Sequence, residues 1–157
     1  MDSDPRLTII DTPFSPEAAA EVFRTGLDNA GAIVTFSGLV RRTNGSKETE
    51  LELQYYPGFT ERTILSYVEK VTAHWTLNDW RIIHRVGAMP PAEPIVFVAT
   101  AARHRRDAFE AADCLMDMLK SRAPFWKKEN NGDSAEWIEP REKDHDDAAR
   151  WKEVFGE

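Results

Sequence analysis

Apolar residues follow two rhythms along this chain, and the points where one gives way to the other outline the elements. Leu7 to Ile10 reads as a short strand, and Ser15 followed by Pro16 supplies an N-cap and first-turn pair for a helix to about Leu27. Gly31 restarts the chain. Ala32 to Val40 (AIVTFSGLV) has strand composition, while Arg41 to Thr49 is polar, contains Asn44-Gly45, and predicts a turn or loop before a strand at Glu50 to Tyr56. These two strands are expected to pair as an antiparallel hairpin. Thr60 can cap a helix to about Trp75, with Ile64, Leu65, Val68, Val71 and Trp75 at helical spacing. Trp80 to Gly87 and Ile95 to Ala101 read as strands separated by a turn containing Pro90, Pro91 and Pro94. A helix over about Arg106 to Arg122 follows, with Phe109, Ala112, Leu115, Met116 and Leu119 on one stripe. Pro124 stops it, because the residue before a proline avoids helical backbone, and Phe125 to Glu129 returns extended. A short strand near Trp137 and a helix from about Asp146 to Val154 complete the pattern. The order predicts an α+β sheet with helices on one side.

Composition narrows the classes. At 157 residues, 41% hydrophobic and 30% charged, the chain is expected to form one domain over residues 1–157 and to bury roughly two thirds of its unfolded surface. The apolar run around Pro94 to Ala102 is far short of the roughly 18 residues a membrane helix needs, and the start, Met1-Asp2-Ser3-Asp4-Pro5, is acidic. One cysteine, Cys114, excludes an intramolecular disulfide and a cysteine-based zinc site. The expected location is the cytoplasm.

Charge changes the picture more. A net charge of −7 argues against general nucleic-acid or anionic-membrane binding, yet Ala99 to Lys128 carries seven basic residues against four acidic ones. This basic island suggests a confined anion site. Arg103-His104-Arg105-Arg106 sits where a strand gives way to a helix, whose amino terminus is already partially positive. A bound phosphate would resolve that conflict; so would neutralisation by Asp107 and Glu110. Lys120 follows Met116 by one helical turn and emerges beside apolar surface, where desolvation lowers an amine's pKa; equally, a last-turn lysine suits the helix dipole and can snorkel. In an extended Phe125 to Lys128, Phe125 and Lys127 share one face and Trp126 and Lys128 the other, so only one of the two lysines can join Lys120. A paired Lys120 and Lys127 would each depress the other's pKa; the alternative is an edge strand guarded by lysines. Cys114 projects away from the Met116 and Lys120 edge, and His84, in WRIIHRVG, reads as structural. No metal-ligand spacing, phosphate loop, nucleophile elbow or dinucleotide fingerprint is present, so no cofactor is expected.

Several segments occur together in order: GAIVTFSGLVR at Gly31 to Arg41, YYPGFTE at Tyr55 to Glu61, IHRVG at Ile83 to Gly87, HRRDAFEA at His104 to Ala111 and MDMLKSRAPFWKKE at Met116 to Glu129. In these the chain resembles the large, catalytic subunit family of molybdopterin synthase. The resemblance implies an α+β, hammerhead-like, mostly antiparallel sheet with helices packed on it, in a homodimer. Each end of that dimer would take a small ubiquitin-like sulfur carrier, making a heterotetramer. The carrier's Gly-Gly tail, ending in a thiocarboxylate, would enter the pocket and pass sulfur to cyclic pyranopterin monophosphate, two transfers making the dithiolene of molybdopterin. Lys120 and Lys127 match the family's active-site lysines. Arg41, His104 and Arg105 match residues of its anion pocket, Arg141 an arginine reaching in from the other subunit, and Phe36 and Met116 apolar pocket wall. The resemblance suggests proton transfer by Lys127 and orientation of the thiocarboxylate by Lys120, or the reverse. Competing readings are a persulfide sulfurtransferase using Cys114 and a non-catalytic adaptor for a ubiquitin-like protein.

Overall fold

The computed structural model describes residues 4–42, 50–130 and 135–157, apart from the side chains of residues 130 and 135–137; the expected Asn44-Gly45 turn lies outside them. The elements are β1 (Leu7–Ile10), α1 (Pro16–Arg24), β2 (Ala32–Leu39), β3 (Glu50–Tyr55), α2 (Phe59–His74), β4 (Leu77–Arg85), β5 (Gly87–Met89), β6 (Pro94–Ala102), α3 (Arg105–Ser121), β7 (Phe125–Asn130), β8 (Ala135–Ile138) and α4 (Glu142–Phe155). They form two four-stranded sheets, in the orders β1-β4-β6-β2 and β5-β3-β7-β8. Among the described residues only the β1–β4 pair is parallel. The expected antiparallel-dominated α+β class is met.

The expected hairpin is not. β2 pairs with β6 in the first sheet, whereas β3 pairs with β5 and β7 in the second. Both strands satisfy their alternation against other partners, and adjacency in sequence carried no information about that choice. Nor do the helices lie on one side. Ile82 and Val98 face a cluster with Val68, Val71 and Leu115 of α2 and α3, while Ile83, Phe97 and Ala99 face Phe23 of α1. Strand alternation sends successive residues to opposite faces, so a strand as apolar as β6 needs cover on both.

Local chemistry accounts for most boundaries. Ser15 Oγ accepts the Ala18 N–H at 3.1 Å with Pro16 in the first turn. Gly58, at φ +81°, precedes α2, and its N–H donates to the Glu61 carboxylate at 2.6 Å. Thr60 is therefore not the cap. It is fully buried, and its hydroxyl donates to the Pro124 carbonyl at 3.2 Å, tying α2 to the start of β7. The short β5 was hidden by the prolines around it. Gly87 turns the chain from the first sheet into the second at φ +83°, a conformation costly to any residue with a Cβ.

On α3 the buried positions are Ala108, Ala111, Ala112, Cys114, Leu115, Met118 and Leu119. Phe109, expected in the core, is 61% exposed. The helix is covered by the first sheet, α2 and α4 together, so its buried face is broader than the predicted stripe and centred elsewhere. The carboxylate of Asp117 locks α4 on α3: it accepts from Arg150 Nη2 at 2.6 Å and Trp151 Nε1 at 2.7 Å. Trp151 meets Trp75 edge-to-face at 5.6 Å. Among the described residues, no helix is long and apolar enough to cross a membrane.

Candidate active site

A cavity of about 620 Å³ opens between the two sheets, at the carboxy-terminal end of α3. Val40, Ile95 and Val96 come from the first sheet and its margin, Leu51, Leu53 and Phe125 from the second, and Met116, Leu119 and Lys120 from α3. Its polar groups are Arg41, His84, Lys120, Lys127, Glu129, Glu139, Arg141 and Asp144. The walls are thus apolar with a few convergent charges, the usual build of a small-molecule site.

Two elements bring the lysines together. Lys120 stands in the last turn of α3, favourable for a cation. The Pro124 turn then reverses the chain, and β7 presents Phe125, Lys127 and Glu129 to the cavity while Trp126 is 49% exposed. The alternation read from the sequence selects the lysine that lines the cavity. β7 lies between β3 and β8, so Lys127 does not guard an edge. Burial, and next the Lys120 ammonium, hold Lys127 below the ordinary lysine range, with Arg141 acting in the same direction and Glu129 and Asp144 opposing.

β8 runs back along β7 with Ile138 opposite Lys127, which delivers Glu139, Pro140 and Arg141 to the cavity rim. Arg141 thus lines the cavity of its own chain. Its N–H donates to the Asp144 carboxylate at 3.1 Å, fixing the first turn of α4 there.

Five of the eight expected site residues, Arg41, Met116, Lys120, Lys127 and Arg141, meet at this cavity; Phe36, His104 and Arg105 do not. The reason for the last two is length. His104 precedes α3 and Lys120 closes it, and sixteen residues of helix span about 24 Å. Phe36 lies on β2, paired with Val98 and 42% exposed. The basic island is therefore two separate cationic patches at opposite ends of one helix.

The sequence reading missed the three carboxylates and His84. All of β4 from Ile82 to Arg85 is buried, and His84 stacks on Phe125 with ring centres 4.0 Å apart and 18° between planes. Burial, its own hydrogen bond to Arg85 opposing, and the two lysines set the His84 pKa at about 4. Cys114 is fully buried away from the cavity, and burial, then Asp117 and Asp113, push its thiol up to about 12. Among the described residues no cluster of three or more His, Cys, Asp or Glu is placed to hold a metal ion.

Fold and cavity together define a class: a two-sheet α+β protein with an apolar-walled pocket that carries two lysines and two arginines. Residues 9–122 match the family described as MoaE protein, and the chain belongs to that family. It is 50% identical over 145 residues to the molybdopterin synthase catalytic subunit of Caulobacter vibrioides, covering 92% of this chain and 96% of that one. Its fold matches the molybdopterin cofactor biosynthesis protein E from Burkholderia multivorans, with a TM-score of 0.78, 37% identity, and 92% and 94% of the two chains covered. It also matches a molybdopterin synthase from Staphylococcus aureus, with a TM-score of 0.77, 29% identity, and 86% and 98% coverage.

Proposed function

We propose that this chain is the catalytic subunit of a molybdopterin synthase, in which sulfur from the thiocarboxylate of a small ubiquitin-like carrier is passed to cyclic pyranopterin monophosphate in the cytoplasm. The observation that carries this reading is the meeting of Lys120 and Lys127 on one apolar-walled cavity. Arg41 and Arg141 supply the charge to hold a phosphate, and the volume suits a pterin beside the tail of a carrier. The labile sulfur arrives on the partner, so the chain need contribute only binding, orientation and proton transfer.

Within that division, Lys127 is the proton-transfer group. Its depressed pKa gives it more neutral amine near pH 7 than an ordinary lysine holds, which is what general-base work requires. Lys120, in the last turn of the helix, orients the thiocarboxylate as a cation. Cys114 takes no part: a sealed thiol with a pKa near 12 is a poor nucleophile, which disfavours a persulfide mechanism.

The active form is a homodimer. β2 is a free sheet edge, and exposed Phe36 and Phe109 lie on its α3 side. A second copy covering this surface would protect the edge and would bring His104 and Arg105 of one protomer toward the cavity of the other. Relatives named as catalytic subunits imply a further, non-catalytic subunit, and the sulfur carrier fills that place.

The test is conversion of cyclic pyranopterin monophosphate to molybdopterin by the purified chain with thiocarboxylated carrier. Product is expected. Carrier binding without product, unchanged when both lysines become alanine, would favour the adaptor reading instead.

A further inference from the structure

His84 is built into the cavity wall in a way that neither the lysine chemistry nor packing alone requires. Its Nδ1 lies 3.0 Å from the Arg85 carbonyl oxygen. A carbonyl can only accept, so Nδ1 carries the proton and donates it. One ring face is covered by Phe125. The remaining nitrogen, Nε2, has no hydrogen-bond partner among the described residues, yet it is not one of the sealed buried polar atoms, of which Arg85 Nε is the single case among them. With His84 only 7% exposed and lining the cavity, the opening left to Nε2 is the cavity itself.

A neutral imidazole with Nδ1 protonated presents a lone pair at Nε2. The neutral form is the one the site enforces: burial comes first, and the ammonium groups of Lys120 and Lys127 add to it. The surrounding cations, Arg41, Lys120, Lys127 and Arg141, are donors when charged, and the carboxylates Glu129, Glu139 and Asp144 are acceptors with a charge of their own. His84 is the uncharged acceptor in this setting. A buried acceptor left unpaired costs free energy that a ligand's donor recovers.

We infer that His84 is a substrate-contacting residue whose Nε2 accepts a hydrogen bond from an N–H or O–H group of the pterin heterocycle, selecting a ligand that carries a neutral donor as well as an anionic end. This rests on the function proposed above and deepens it. His84 is not the proton-transfer group, since an imidazole that stays unprotonated well below pH 6 has little basicity to offer; it recognises.

The experiment uses the full chain with its thiocarboxylated carrier. His84→Phe keeps a flat ring on Phe125 and removes the acceptor; His84→Gln restores a neutral acceptor of similar reach. The expected result is a KM for the pterin raised about tenfold in His84→Phe, kcat within threefold, carrier affinity unchanged, and most of the KM loss recovered in His84→Gln. An unchanged KM in His84→Phe overturns the inference, as does a His84→Gln variant no better than His84→Phe. A readout on the unaltered chain guards against a variant that does not fold: the ¹⁵N resonance of Nε2 should move toward the hydrogen-bonded acceptor position when pterin is added without carrier, and a resonance that saturating pterin leaves in place overturns the inference. The two levels separate cleanly. No turnover by the unaltered chain with carrier sinks the functional reading and this inference with it, whereas normal turnover with an indifferent His84→Phe sinks only the inference.

Discussion

The two ends of α3 carry similar residues in opposite physical settings. At the amino terminus His104, Arg105 and Arg106 are exposed, stand against the helix dipole and do not line the cavity that Lys120 faces. At the carboxy terminus Lys120 agrees with the dipole and faces a cavity that also holds Lys127, whose pKa burial and that neighbour depress. Positive charge alone thus distinguishes nothing. What makes a lysine chemically useful is desolvation beside a second cation, and only one end of the helix provides it.

The largest effect should come from mixing protomers. If His104 and Arg105 serve the opposite cavity, dimers of Arg105→Ala with Lys120→Ala place both lesions in one site and leave the other intact, so activity should return to about half that of an equal amount of unaltered dimer per mixed dimer. Arg141→Ala with Lys120→Ala should show the contrast. Each residue lines the cavity of its own chain, so in this mixed dimer each site carries one lesion and activity should not return. Recovery by Arg141→Ala with Lys120→Ala, or none by Arg105→Ala with Lys120→Ala, would break the comparison between the two ends.

Next in size is the pH dependence. Replacing Lys120 by methionine removes the charge that helps depress Lys127, so the Lys127 pKa should rise and the acid limb of the pH–rate profile for the residual activity should move to higher pH. Stability should respond too. A depressed folded pKa means that the unfolded chain binds more protons, so Lys127 makes stability rise with pH between its folded and its unfolded value. For His84 the same sign applies between about 4 and 6.5: stability falls as pH drops through that window, by on the order of a few kcal/mol. Urea unfolding of His84→Gln across it should show a flatter pH dependence than the unaltered chain.

Smaller effects concern the scaffold that holds the reactive end. Asp117→Asn weakens the bonds to Arg150 and Trp151 that lock α4 on α3, and should cost about 1–3 kcal/mol in denaturant unfolding. Smallest of all, Cys114→Ala should leave sulfur transfer within about twofold while costing stability on the order of 1 kcal/mol for the methyl-sized void; a lost activity in folded protein would revive the persulfide reading.

Much of this was legible in the sequence, and the failures have physical causes. The period of two around Phe125 to Lys128 picks Lys127, and the stop at Pro124 explains why the chain turns back to meet Lys120. Pairing partners were not legible: β2 and β3 look like a hairpin because each alternates correctly, and alternation is silent on which strand lies alongside. The carboxylates and His84 were missed because cavity lining depends on where two sheets separate, a tertiary fact. The placement of His104 and Arg105 was within reach, since helical rise alone puts them about 24 Å from Lys120. Reading the basic island as one site treated closeness in sequence as closeness in space.

The central claim is that the cavity between the sheets is where sulfur moves and that Lys127 moves the proton. Its most direct test is single-turnover transfer by Lys127→Ala at saturating pterin and thiocarboxylated carrier, with the binding of each measured separately. Binding within a few-fold of the unaltered chain and transfer slowed by about 10²-fold or more is the predicted result. Transfer at the unaltered rate would contradict it.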